Sequence, residues 1–197
     1  MATGFGAKLY GADVSPQELV TCVHLVGDSV ALGKGDIVKR VTGSLSIGNG
    51  PVVLAVAQAA TGDRVWGVVV SCERHTVVTG LSLDGTHCPA STAMYVLVRP
   101  IKTGEEYVMM EDGVGGVIAS TSIGNNANFI VAVPNATTGM SGTMLDSSTA
   151  TTTNTLDLKI VGVVNDAANL AGLGAAATGA KFIVTFNKVD GDQIAGV

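Results

Sequence analysis

Apolar β-formers alternate with small polar residues through most of this chain, most clearly over residues 107–165. Gly, Asn and Pro punctuate the runs. This period-2 pattern predicts short strands at 107–110, 129–133 and 156–164, with Leu156, Leu158 and Ile160 on one face and Pro134 stopping the middle run. Earlier in the chain the same reading predicts strands at 19–26, 37–41, 52–57, 64–70 and 92–98. In the first of these Val20, Cys22, His24 and Val26 share a face. Residues 52–57 are apolar throughout, which predicts burial on both sides, and Arg99-Pro100 is expected to end the 92–98 strand. Turn clusters stand at Gly27-Asp28-Ser29, Gly33 to Asp36, Gly48 to Pro51 and Asp84-Gly85. The last strand is predicted at 181–186. Residues 166–178 are rich in Ala and Gly and read as loop or weak helix, since each Gly costs about 1 kcal/mol in a helix interior.

No amphipathic stretch of helical period exceeds two or three turns. The fold class is therefore all-β: a sandwich or barrel, with a jelly roll among the forms it could take. Its organisation reads as one domain or as two small β lobes, 1–103 and 104–197. The second lobe carries a long Thr-, Ser- and Gly-rich loop at 135–155.

At 197 residues, folding removes roughly 70% of the unfolded chain's surface from water, enough for a real core. Hydrophobic residues make up 47% and charged residues 14%, against about 25% charged in an average protein. So low a charge density implies that much of the exterior lies against partner subunits. The net charge is −5, and the densest basic cluster, Lys34 to Arg40, contains Asp36. Nucleic acid is excluded as a direct ligand, because a phosphate footprint needs clustered Lys and Arg. The start of the sequence lacks the long apolar core of a signal peptide, and no apolar run is long enough for a membrane helix. Cys22, Cys72 and Cys88 read as buried, reduced thiols of a cytosolic product.

Several segments imitate chemistry. Ser29 with Asp84 and His87 has the residue types of a serine esterase, but such enzymes sit on α/β scaffolds and a turn plus a hairpin tip accounts for both segments. Gly27 to Lys34 is one residue too long for a phosphate loop, and Gly35 stands where Ser or Thr would bind magnesium. Gly172-Leu-Gly174 matches a relaxed dinucleotide fingerprint without its acidic partner. Cys22 with His24, Cys72 with His75, and His87 with Cys88 have the donor atoms for zinc but not the ligand spacing. Glu111-Asp112-Gly113 falls short of a calcium shell. Trp66, inside an apolar run, reads as core. No cofactor, metal or catalytic residue is expected, and the chain reads as a structural and assembly protein.

Taken together, Gly35-Asp-Ile-Val-Lys39, the run from Val56 through Thr61-Gly62-Asp63 and Trp66 to Val70, Pro89 to Val98, Tyr107 to Gly116, Gly139-Met-Ser-Gly142 through Leu145-Asp-Ser-Ser-Thr-Ala150 to Gly162, and Gly179 to Asn187 resemble a family of virion structural proteins of tailed bacteriophages, in the capsid decoration or cement class. The likeness runs along most of the chain. It departs in an Ala- and Gly-rich insertion around 168–177 and in residues 188–197. The resemblance implies a non-enzymatic protein, made in the cytoplasm of a bacterial host, that binds the outside of a capsid. There it would bridge subunits of the major capsid protein and associate with itself, as a trimer in first place or a dimer. It implies no membrane contact. Asn135, Thr137, Thr138, Met140, Ser141, Met144, Leu145, Thr151 and Thr153 are the expected capsid or oligomer contacts, on a loop ordered by those contacts. The rival readings are a tail or neck component and, from the esterase-like residues, a hydrolase.

Overall fold

The computed structural model describes residues 6–10, 19–25, 27–46, 50–73, 87–173 and 179–190. The fold is all-β. Five strands close a barrel in the order β2 (Val20–His24), β5 (Val53–Gln58), β4 (Ile37–Leu45), β6 (Gly67–Glu73) and β8 (Met94–Pro100). All neighbours run antiparallel except β2 and β5, which pair in parallel through Val23 with Ala55 and His24 with Val56. Side chains two apart on a strand share a face. Accordingly Cys22, Val38, Val56, Val69, Cys72, Met94, Val96 and Val98 meet in one buried cluster. A short ribbon of β3 (Leu32–Gly33) and β7 (His87–Cys88) adds Leu32 and Cys88 to it.

The neighbours Ile37 and Val68 point the other way, into a second cluster outside the barrel wall. That cluster belongs to a five-stranded antiparallel sheet in the order β1 (Lys8–Leu9), β9 (Glu106–Met110), β14 (Lys181–Phe186), β13 (Leu158–Val163) and β10 (Asn126–Ala127). Phe182, Val184, Leu158, Ile160 and Met109 are fully buried there. The Tyr107 ring meets Phe186 edge-on with centroids 5.2 Å apart. Each such large side chain contributes about 1.5–3 kcal/mol by leaving water. Barrel and sheet thus pack through one continuous core, and polar bonds fasten its rim. Gly62 N donates to both oxygens of the buried Asp157, at 3.2 and 3.0 Å, and Lys188 Nζ pairs with the same carboxylate at 2.8 Å. Thr61 Oγ1 donates to Phe129 O at 2.8 Å.

Two expectations change here. The 52–57 run is not buried on both sides: only Ala55 and Val56 are buried, while Val52 and Leu54 are 70% and 37% exposed. A bulge between Arg40 and Ser44, with Gly43 at φ +132°, carries β4 past residue 41, and Leu45 and Val53 at this end of the β4–β5 hairpin pack against a smaller cluster of Val23, Ala55 and Tyr95. The 92–98 strand runs on through Pro100, which still lies opposite Gly67 at the strand end, where a missing N–H costs least. The ambiguous 166–178 segment opens as a short helix, α1 (Ala167–Gly172), capped by Asp166, whose side chain accepts from Asn169 N. Buried Asn169 then ties α1 to β14: its Nδ2 donates to Val164 O and Lys181 O, and its Oδ1 accepts from Lys181 N at 2.6 Å.

Candidate functional site

The segment from Phe129 to Leu145 folds back on itself. Its ends pair as β11 (Phe129–Ile130) and β12 (Met144–Leu145), and Asn135 N donates to Met140 O near the tip. Asn135 builds that tip, its Oδ1 accepting from Thr137 N at 2.9 Å and Thr138 N at 3.0 Å, an Asx turn. The returning arm is bolted to the barrel. Lys34 N donates to Gly139 O at 2.7 Å and Ser141 N to Lys34 O at 2.9 Å. Buried Asp36 closes the joint: it accepts from the Ser141 hydroxyl, from Thr143 Oγ1 at 3.0 Å and from Gly33 N at 2.7 Å. Burial pushes the Asp36 carboxyl above its ordinary range, and these donors offset only part of that. Gly33 permits the approach, because a Cβ there would fall 2.5 Å from Pro134 Cβ.

Beside this arm the glycine-rich run after Asp112 is held by Ser147, whose Oγ donates to Asp112 Oδ1 at 2.7 Å and lies 3.0 Å from Gly116 O. Asp146 caps the single turn 147–149 through Ser148 N, and Thr151 pairs with Asn126 through both backbone bonds. Much of 135–151 therefore bonds within its own chain. Short Asp, Asn, Ser and Thr side chains bonding nearby backbone groups supply these bonds.

The nine expected contact residues divide accordingly. Asn135, Thr137, Thr138, Thr151 and Thr153 are exposed, Met140 is 36% exposed, and Met144 is half-buried opposite Ile130. Ser141 and Leu145 point inward, 1% and 0% exposed, and serve the joint and the core instead. Met140 also borders an apolar cavity of about 220 Å³ between barrel and sheet, with Lys8 and Lys34 beside it and Arg99 and Tyr107 on its wall.

A second property of this region escaped the strand reading. From Gly113 to Leu145 the sequence has no charged side chain. Within it lie five exposed large apolar residues: Val114 (67%), Ile123 (49%), Ile130 (42%), Val133 (78%) and Met140 (36%). Among the described residues, Val131, Ala132 and Val133 take part in no backbone hydrogen bond, although a strand was expected to run to 133. The pairing stops at Ile130 because Asn135, turning the chain at the tip, draws the two arms out of register.

The chemistry-bearing residues are spread over separate parts of the fold. His24 is fully buried; its Nδ1 lies 3.0 Å from Thr92 O and 3.2 Å from Cys88 Sγ, and its Nε2 lies 2.9 Å from Val30 O and 3.3 Å from Asp28 Oδ2. His24 and Cys88 are buried, while Asp28 sits at the turn after β2 with its side chain 17% exposed. Burial pushes the thiols of Cys22 and Cys88 up to about 12 and that of Cys72 to about 11, away from the thiolate a nucleophile needs. Ser29 is exposed on the turn after β2, His87 lies in β7 opposite Gly33, and Asp84 and His75 fall outside the described residues. So do most of the glycine-rich residues after Leu173. Among the described residues no three His, Cys, Asp or Glu side chains are grouped to hold a metal. Trp66 packs half-buried against the barrel cluster. Glu111 is fully buried, its Oε2 accepting from Ile118 N at 2.9 Å, and burial raises its pKa. Compared with known proteins, the chain matches no family model, no curated protein and no solved structure.

Proposed function

We propose that this protein is a virion structural component of the cement class, which binds the outer surface of a phage capsid and bridges major capsid protein subunits. The observation that carries the reading is the charge-free stretch from Gly113 to Leu145, set with exposed apolar side chains and fastened to the barrel at Gly139, Ser141 and Thr143. A pre-ordered surface loses little conformational entropy on docking. Contacts without charge are barely screened by salt. Bridging two or more subunits at once multiplies weak contacts into avidity. The sequence resemblance supplies the identity of the shell. In this reading Asn135, Thr137, Thr138, Met140, Met144, Thr151 and Thr153 lie at or near the contact. Self-association accompanies capsid binding, and neither nucleic acid nor membrane is a direct partner.

The test is an image reconstruction of particles carrying the protein, paired with particles lacking it. Density for this fold on the capsid exterior, and earlier rupture of the lacking particles on heating, is the expected result. Density confined to the tail or neck would move the protein to that class. Absence from the particle would refute both.

A further inference from the structure

We propose that residues Ile130 to Val133 form a self-complementary seam through which two copies of this chain pair, antiparallel, about a two-fold axis near Val131. Three observations converge there. Ile130, Ala132 and Val133 are apolar and exposed, Ile130 at 42% and Val133 at 78%, while Val131 is half-buried against the core. The backbone of residues 131–133 makes no hydrogen bond among the described residues; the carbonyls of Ala132 and Val133 lie against Gly142 of the returning arm, which leaves the outward edge at Val131 to bond a strand laid beside it. The segment is also fastened at its N-terminal end by the β11–β12 pair and by Thr61 on Phe129 O, and the returning arm opposite it is anchored on Asp36.

The second copy is the occupant that the charges favour. In a two-fold contact each residue near the axis meets itself or its close neighbours, so any charge there faces a like charge. This molecule carries a net charge of −5, which opposes self-association almost anywhere on its surface. Around Val131 that penalty vanishes, since no charged side chain occurs from Gly113 to Leu145. Nor does the seam bear the Lys, Glu or internal Pro with which edges are ordinarily kept from pairing; Pro134 comes only after it. Val131 would lie opposite itself and Ile130 of one copy beside Ala132 of the other, apolar throughout.

A seam this short buries less than the roughly 1,200 Å² of a standard stable interface. The dimer is therefore weak in free solution and strengthens wherever neighbours are held close together. The seam does not depend on the shell reading, and its test uses the full chain alone, so the two succeed or fail separately.

Sedimentation equilibrium is measured from micromolar to near-millimolar protein, alongside hydrogen exchange at the two ends of that range. The expected result is a weight-average mass rising towards twice that of the chain, with the amides of Val131 to Val133 exchanging more slowly at high concentration. Val133→Lys and Ile130→Lys, both at exposed positions, should each raise the dissociation constant at least tenfold without shifting the melting temperature. A chain that stays monomeric with freely exchanging 131–133 amides throughout would overturn the seam and leave that edge to a strand from another protein. A dimer or trimer indifferent to both lysines would overturn it equally.

Discussion

Replacing Asp36 tests how the hairpin at 129–145 is held to the barrel. Asp36→Ala removes the common acceptor of Gly33 N, the Ser141 hydroxyl and Thr143 Oγ1, all in a fully buried position. An orphaned buried donor costs about 1–3 kcal/mol; with the amide near the top of that range and the rotatable hydroxyls near the bottom, the loss is about 3–5 kcal/mol. In a domain of this size that lowers the melting temperature by about 6–20 °C. The fluorescence of Trp66, the chain's one tryptophan, reports unfolding in urea or on heating. Hydrogen exchange at Lys34 and Ser141, whose amides form the joint, should rise together. A second variant isolates the charge. Burial places the folded Asp36 pKa above its unfolded value. Its contribution is therefore full below the unfolded carboxylate range and declines as pH rises through the folded value. Asp36→Asn cannot titrate, so the stability difference, wild type minus Asp36→Asn, should shrink from acid to neutral pH. Glu111 titrates in both proteins and drops out of that difference. An Asp36→Ala protein melting within about 2 °C of wild type, or a difference that grows with pH, would refute the argument.

The remaining predictions concern the core. Cys22, Cys72 and Cys88, with thiols pushed up to about 12, 11 and 12, should resist iodoacetamide at pH 8 in the native protein and react in urea, as read by intact mass. Gly67→Ala places a Cβ 2.3 Å from Val98 Cγ1 and 2.8 Å from Arg99 O, where β6 and β8 cross the barrel wall. It should cost about 1–3 kcal/mol in a urea titration, or prevent folding. Phe129→Ala empties a fully buried site beneath the hairpin and should cost about 3–5 kcal/mol, with most of the change in the unfolding rate if the hairpin docks late.

Strands with strict alternation were legible. Residues 181–186 are β14 to the residue, and Leu158 and Ile160 do share a buried face, because one side of that sheet covers a core and the period alone decides orientation. Boundaries that depend on partners were not. Residues 64–70 begin pairing only at Gly67, since Val65 bridges to Val189 instead, and residues 131–133 lack the partner that would make them strand. The parallel pairing of β2 with β5 leaves no local mark in either strand. The region of the candidate surface was visible as a Thr-, Ser- and Gly-rich run, but its inward and outward members were not. Ser141 and Met140 are neighbours of ordinary composition, and only Asp36, about a hundred residues away, decides that one is buried and the other exposed. The signal that could have found the surface is the missing charge between Gly113 and Leu145, a count that no period analysis makes.

The strand order of the second sheet has a consequence in time. β14 lies between β9 and β13, and β1 reaches β9 by pairing Lys8 with Val108. The barrel strands are all synthesised by Pro100, but the middle of the sheet is its last strand to leave the ribosome. At roughly 5–20 residues per second, the apolar outer wall of the barrel, with Ile37 and Val68, waits several seconds for its cover. During that interval the nascent chain is at its most adhesive, and a chaperone has its opening.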